Sequence, residues 1–187
     1  MEERQPLSEG SSGLASENES QDAGLLADAQ SGSSDAFDSL FHLHKRFVYN
    51  VCYRMIGCGE DAIDATQTTF IRAYKGLKSF RGSCAFRSWL YRIAVNACTE
   101  MLRKNARQAR MSREIPAPVE ETAKDDRLWS AMLELPAGLR AVLVLFYFQQ
   151  LTVREIAESM NCSEGAAKVR LCRARAALRV RYEEMTQ

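Results

Sequence analysis

From Asp35 onward the apolar residues recur three and four positions apart, and that period confines the chain to helices. Phe37, Leu40, Phe41, Phe47, Val48, Val51 and Cys52 trace the first stripe, which stops at Gly57 and Gly59. A second helix is predicted over about residues 60–77, with Ile63, Gln67, Phe70, Ile71 and Tyr74 on neighbouring turns. A third is predicted over about 84–104. Then the period fails. Between Asn105 and Asp126, Pro116 and Pro118 block helix, and charge passes from basic (Arg107, Arg110, Arg113) to acidic (Glu114, Glu120, Glu121, Asp125, Asp126). Those are the marks of a linker. Beyond it, helices are predicted over about 127–135, 137–149, 152–160 and 163–183, with Pro136 at a favourable first-turn position.

The first 33 residues are rich in Ser, Gly, Glu, Asp and Gln, a composition that buries too little to offset ordering entropy. The expected fold is therefore all-α: a disordered acidic tail (1–33), a helical domain (34–104), a flexible linker (105–126) and a second small helical domain (127–187). Charge follows the same division. Residues 1–38 hold nine acidic side chains against Arg4, a balance of −8, whereas the whole chain carries +1. Residues 39–187 therefore carry +9 and attract polyanions.

Several classes fit poorly. The longest apolar run, Ala141 to Phe148, is far short of the roughly 20 residues a membrane crossing needs, so no membrane insertion and a cytoplasmic location are expected. The six cysteines (Cys52, Cys58, Cys84, Cys98, Cys162, Cys172) have neither C-x-x-C spacing nor a Cys/His ligand pattern. They read as small buried thiols, a redox or zinc role for a pair such as Cys52 with Cys58 being the alternative. No phosphate-loop, dinucleotide or H-E-x-x-H motif occurs, and His42 and His44 diverge on their helix. No enzyme, metal or cofactor is expected.

The positive signal lies in two stretches. Leu151 to Leu178 has the layout of a helix-turn-helix: Thr152 with Glu155 forms a capping box, Ile156, Ala157 and Met160 supply a buried side, and Asn161 to Ser163 turn. The following helix keeps Ala167, Leu171, Ala174 and Leu178 on one stripe. Its other side offers Lys168, Val169, Arg170, Cys172, Arg173 and Arg175, with no acid between Gly165 and Tyr182. Such a helix suits a major groove. The other stretch, Phe80 to Asn96, packs four aromatics (Phe80, Phe86, Trp89, Tyr91) and three arginines (Arg81, Arg87, Arg92) into seventeen residues.

The segment "EDAIDATQTTFIRAYKGLKSFRGSCAFRSWLYRIAVNACTEMLRK" resembles region two of bacterial RNA polymerase sigma factors of the extracytoplasmic-function (ECF) group, and Arg127 to Glu183 resembles their region four. The resemblance implies that the helix carrying Asp61, Asp64, Gln67, Phe70, Ile71 and Tyr74 docks on core polymerase. Thr68 stands where the family usually carries Glu. It further implies that a loop and helix offering Phe80, Arg81, Ser83, Arg92, Asn96 and Arg103 capture a base flipped from the nontemplate strand at the minus-ten element. Trp89 and Phe86 follow the buried stripe and are expected in the core.

For the minus-thirty-five element the resemblance points to Lys168, Val169, Arg170, Cys172 and Arg173, with Val169 and Cys172 differing from the family's frequent hydroxyl and aromatic residues. The implied partners are core RNA polymerase, promoter DNA and, as in many of the group, an anti-sigma protein. A stand-alone helix-turn-helix regulator is the competing expectation.

Overall fold

The computed structural model describes residues 12–112 and 126–186, with side chains placed for 22–108 and 127–186. All regular structure among the described residues is helical. In chain order the elements are α1 (Ser12–Ser31), α2 (Ser34–Ile56), α3 (Gly59–Gly76) with a 3₁₀ turn (Leu77–Ser79), α4 (Phe86–Ser112), α5 (Asp126–Glu134), α6 (Ala137–Leu143) running into a π turn (Val144–Phe148), α7 (Val153–Ser159) and α8 (Glu164–Glu184).

Helix α2 starts where Ser33 accepts a hydrogen bond from the Ala36 N–H at 3.2 Å, with Asp35 favourably placed in the first turn. It stops at Gly57, whose φ of +84° turns the chain left-handed while its N–H donates to the Tyr53 carbonyl. One face buries Leu40, Val48, Val51, Cys52 and Met55. Against it lies α3, whose inner residues Ala62, Ala65 and Ala73 are small enough to let the helices approach. The hydroxyls of Thr66 and Thr69 on that face donate to carbonyls four residues back at 2.7 Å, so no polar atom is stranded there. Phe86, Trp89, Leu90, Tyr91, Ala94 and Cys98 of α4 complete the three-helix core. Cys52 and Cys98 meet there as hydrogen-bonded thiols, with Cys98 held well above the usual thiol range by that bond and by burial. The buried neighbour of Cys52 is thus Cys98, and both are free thiols.

Two boundaries differ from expectation. Ser12–Ser31, read as disordered tail, is a helix packed on α2. Its average composition is poor, but Ala29 is buried, Leu25 and Leu26 pack against the core, and Asp22 pairs with buried His44 at 2.8 Å. The rest of that expectation, residues 1–11, lies outside the described residues. Helix α4 also runs through the first third of the expected linker to Ser112, because Ala, Arg, Gln and Met extend an existing helix at little cost. Of the linker, 113–125 lies outside the described residues.

The second helical group closes directly onto the first. Arg140 of α6, only 6% exposed, donates to the carbonyls of Met55, Leu133 and Leu135 and so satisfies free helix ends of both α2 and α5. Burial pulls its guanidinium below the usual arginine range. Tyr91 donates to Gln149 at 3.0 Å and accepts from Arg87 at 2.8 Å. A continuous core runs through both groups.

Candidate nucleic-acid interface

Three faces collect the residues singled out above. The first is the outer side of α3, where Ile71 and Tyr74 stand more than half exposed beside exposed Asp64 and Gln67. Tyr74 meets Phe37 edge-on at 4.9 Å, and these rings with Ile71 border a groove of about 390 Å³. Asp61 is half-buried and accepts from Asn105 at 3.2 Å. Phe70 is only 5% exposed and packs edge-on against Phe41 at 4.7 Å, so it supports the face from beneath and reaches the groove only at its floor. Its helical spacing from Thr66 and Ala73 was the signal of that burial.

The second face is built by the loop before α4 and by α4 itself. Gly82, at φ +68°, lets the loop turn back, leaving Arg81 and Ser83 exposed. Phe80 is half-buried, its ring 4.9 Å from Trp89 and 5.9 Å from Phe86, both of which are in the core as expected. On α4, Asn96 and Arg103 are exposed and Arg92 is half-buried. Beside them Glu100 accepts from Arg72 at 2.5 Å, and that bond holds its carboxyl below the usual carboxylate range.

The third face is α7, the turn and α8. Thr152 and Glu155 form the reciprocal capping box, with Thr152 N–H donating to Glu155 Oε2 at 2.7 Å and Glu155 N–H to Thr152 Oγ1 at 3.3 Å. Asn161 takes φ +50° in the turn, and Ser163 caps α8 through the Ala166 N–H. Ala167, Leu171 and Ala174 point inward, as their spacing requires. Lys168, Val169, Cys172 and Arg173 are exposed on the other side. Two arginines are already engaged. Arg170 bends back to the Met160 sulfur at 3.8 Å, and Arg175 lies over the rings of Phe146 and Tyr147 at 5.0 and 5.5 Å.

The second and third faces share one cleft. Arg92, Asn96 and Arg103 from α4, Met160 and Asn161 from the turn region and Arg170 from α8 border a cavity of about 750 Å³ that, among the described residues, no acidic side chain lines. Four arginines, Arg140 included, give it a positive potential suited to phosphates. Among the described residues no three His, Cys, Asp or Glu side chains gather as a metal site would require.

Known proteins share this arrangement. The family description "Sigma-70 region 2" matches residues 40–108, and "Sigma-70, region 4" matches 125–178. The ECF RNA polymerase sigma factor SigW of Bacillus subtilis is 30% identical over 179 residues, covering 86% of this chain and 96% of its own. The ECF RNA polymerase sigma factor SigM of Mycobacterium tuberculosis is 35% identical over 170 residues, covering 89% of this chain and 87% of its own. Among solved structures, CnrH in complex with the cytosolic domain of CnrY matches with a TM-score of 0.66 at 28% identity, over 86% of this chain and 96% of that one. RpoE bound to the anti-sigma factor NepR, from Bartonella quintana, shares the fold at a TM-score of 0.63 and 21% identity, over 79% of this chain and 96% of that one.

Proposed function

The chain belongs to the extracytoplasmic-function group of RNA polymerase sigma factors, and on that premise we propose that it supplies core polymerase with a promoter address and the first step of strand opening. The observation that supports this reading is the presence of two basic faces, on α4 and α8, together with an exposed mixed face on α3, in one chain. Asp61, Asp64, Gln67, Ile71 and Tyr74 form the polymerase-docking face, with Phe70 packing it from below. Phosphoryl transfer belongs to the polymerase, so this chain needs no catalytic residue of its own. Its place of work is where polymerase and genome meet, the cytoplasm.

At the minus-ten element the loop and α4 capture an extruded base. Flipping costs a few kcal/mol, which stacking on Phe80 and hydrogen bonds from Arg81, Ser83, Arg92 and Asn96 to the exposed base and its backbone offset, with Arg103 pairing phosphate. At the minus-thirty-five element Lys168 and Arg173 hold phosphates while Val169, Cys172 and Arg170 meet base edges. Arg175, stacked on Phe146 and Tyr147, is fixed at the rim.

Elements whose centres lie about 25 base pairs apart are separated by roughly 85 Å at ~3.4 Å per base pair. The two faces border a single cleft of about 750 Å³. Both elements are engaged together only after α5–α8 swing away from α2–α4. The closed form suits a silent state, and a partner of the anti-sigma class, such as the NepR bound to RpoE, would act by holding it. The deciding experiment is run-off transcription with core polymerase, with and without the chain, alongside a core pull-down. New, accurately placed transcripts and retention on core support the reading. Tight duplex binding as a dimer without core would replace it with a stand-alone regulator.

A further inference from the structure

Helix α1 ends against the base-capture loop. The Gln30 amide nitrogen donates to two carbonyls at once, Leu77 O at 3.0 Å and Phe80 O at 2.7 Å. Both partners only accept, so the NH₂ end of the amide must face them. These carbonyls bracket the 3₁₀ turn that leads into the loop. The other flank of the loop is gripped as well. Asp22 of α1 pairs with His44 at 2.8 Å, and the His44 ring lies edge-on against Phe86, 5.4 Å between centroids, where α4 begins. Buried Ala29 and partly buried Leu25 and Leu26 seat the helix between these two grips.

We propose that α1 is a brace for the minus-ten capture loop and that Gln30 is a positioning residue for strand opening; the inference rests on the sigma reading above. The loop that carries Arg81 and Ser83 is otherwise exposed and has a glycine at its turn. A loop of that kind must be held in one geometry for its side chains to meet a flipped base, and ordering it before the base arrives removes that entropy cost from the opening step. Gln30 fixes the entry to the loop through backbone atoms, so its effect is independent of which side chains the loop carries.

The test uses the full chain and holoenzyme. Gln30→Glu keeps size and shape but sets a carboxylate against two carbonyl oxygens, whereas Gln30→Ala only removes the donor. Amide exchange of residues 80–85 in the free chain should rise about tenfold in both variants while α2 and α3 stay protected. Unchanged exchange overturns the brace, whatever the chain's function. In holoenzyme, Gln30→Glu should slow open-complex formation about tenfold and reduce discrimination among minus-ten base substitutions, with affinity for core within twofold. An equal loss on every template with discrimination intact would mean a purely structural role. Wild-type holoenzyme that opens no promoter would instead refute the sigma reading.

Discussion

The Arg54 guanidinium lies over the Phe148 ring, 3.7 Å from its centroid, and so ties the end of α2 to the π turn of the second helical group. The same arginine approaches Trp129 at 5.8 Å, and burial pulls its pKa below the usual arginine range. Such a cation–π contact is worth about 0.5–2 kcal/mol. Arg54→Ala should therefore loosen the closed arrangement without unfolding either group. Small-angle scattering should report a larger radius for the variant, and free-chain affinity for duplex carrying the minus-thirty-five element should rise several-fold. A radius identical to wild type would show that Arg54 does not hold the groups together.

Gly57 is required by its backbone and crowded by a neighbouring side chain. Its φ of +84° costs other residues roughly 1–2 kcal/mol. A Cβ there would also sit 2.7 Å from Leu133 Cδ1, across the junction between α2 and α5. Gly57→Ala should destabilise the chain by about 1–3 kcal/mol in urea unfolding, most of it from the backbone. In a Leu133→Ala background the cost of Gly57→Ala should shrink to the backbone share, about 1–2 kcal/mol. Equal costs in both backgrounds would remove the steric part of this account.

How much of this was legible in the sequence depended on whether a feature has a period. The stripe of Leu40, Val48 and Val51, and that of Ala167, Leu171 and Ala174, fixed their helices because burial repeats with the turn. The capping box at Thr152 was equally local. The burial of Phe70 could be read from its spacing to inward Thr66 and Ala73, whereas its place in the docking set came only from the family resemblance. Helix α1 escaped notice because a few side chains, Asp22 to His44 and Gln30 to the loop among them, fasten it where no long apolar stripe does. The closure of the two groups depends on arginines reaching carbonyls and rings, and such contacts leave no spacing to read.

The Glu100–Arg72 pair gives a pH signature. Both side chains are about half exposed, so the pair contributes no more than about 1 kcal/mol. The hydrogen bond from Arg72 lowers the Glu100 carboxyl below its ordinary range. Its stabilisation is therefore complete above the unfolded carboxylate range and lost as pH falls through the lowered folded value. Glu100→Gln should cost up to about 1 kcal/mol near neutrality and nothing in strong acid, with the difference shrinking in high salt. Parallel urea titrations of wild type and variant across the acid range check this, and a pH-independent difference would contradict it.

Under the proposed function, Asn96 should separate opening from docking. It is exposed on α4, one turn beyond Arg92, while the residues proposed to dock on polymerase lie on α3. An amide both donates and accepts, so it can pair with the edge of an extruded base, and losing one such contact costs about 1–3 kcal/mol. Asn96→Ala removes that contact and, being at an exposed helical site, leaves packing intact. Promoter opening followed by a fluorescent base analogue should fall about tenfold to hundredfold, while core affinity in the same preparation stays within twofold. The effect should be confined to duplex templates that must be melted at the captured base. Parallel losses in core binding and opening would move Asn96 from base capture to the architecture of α4.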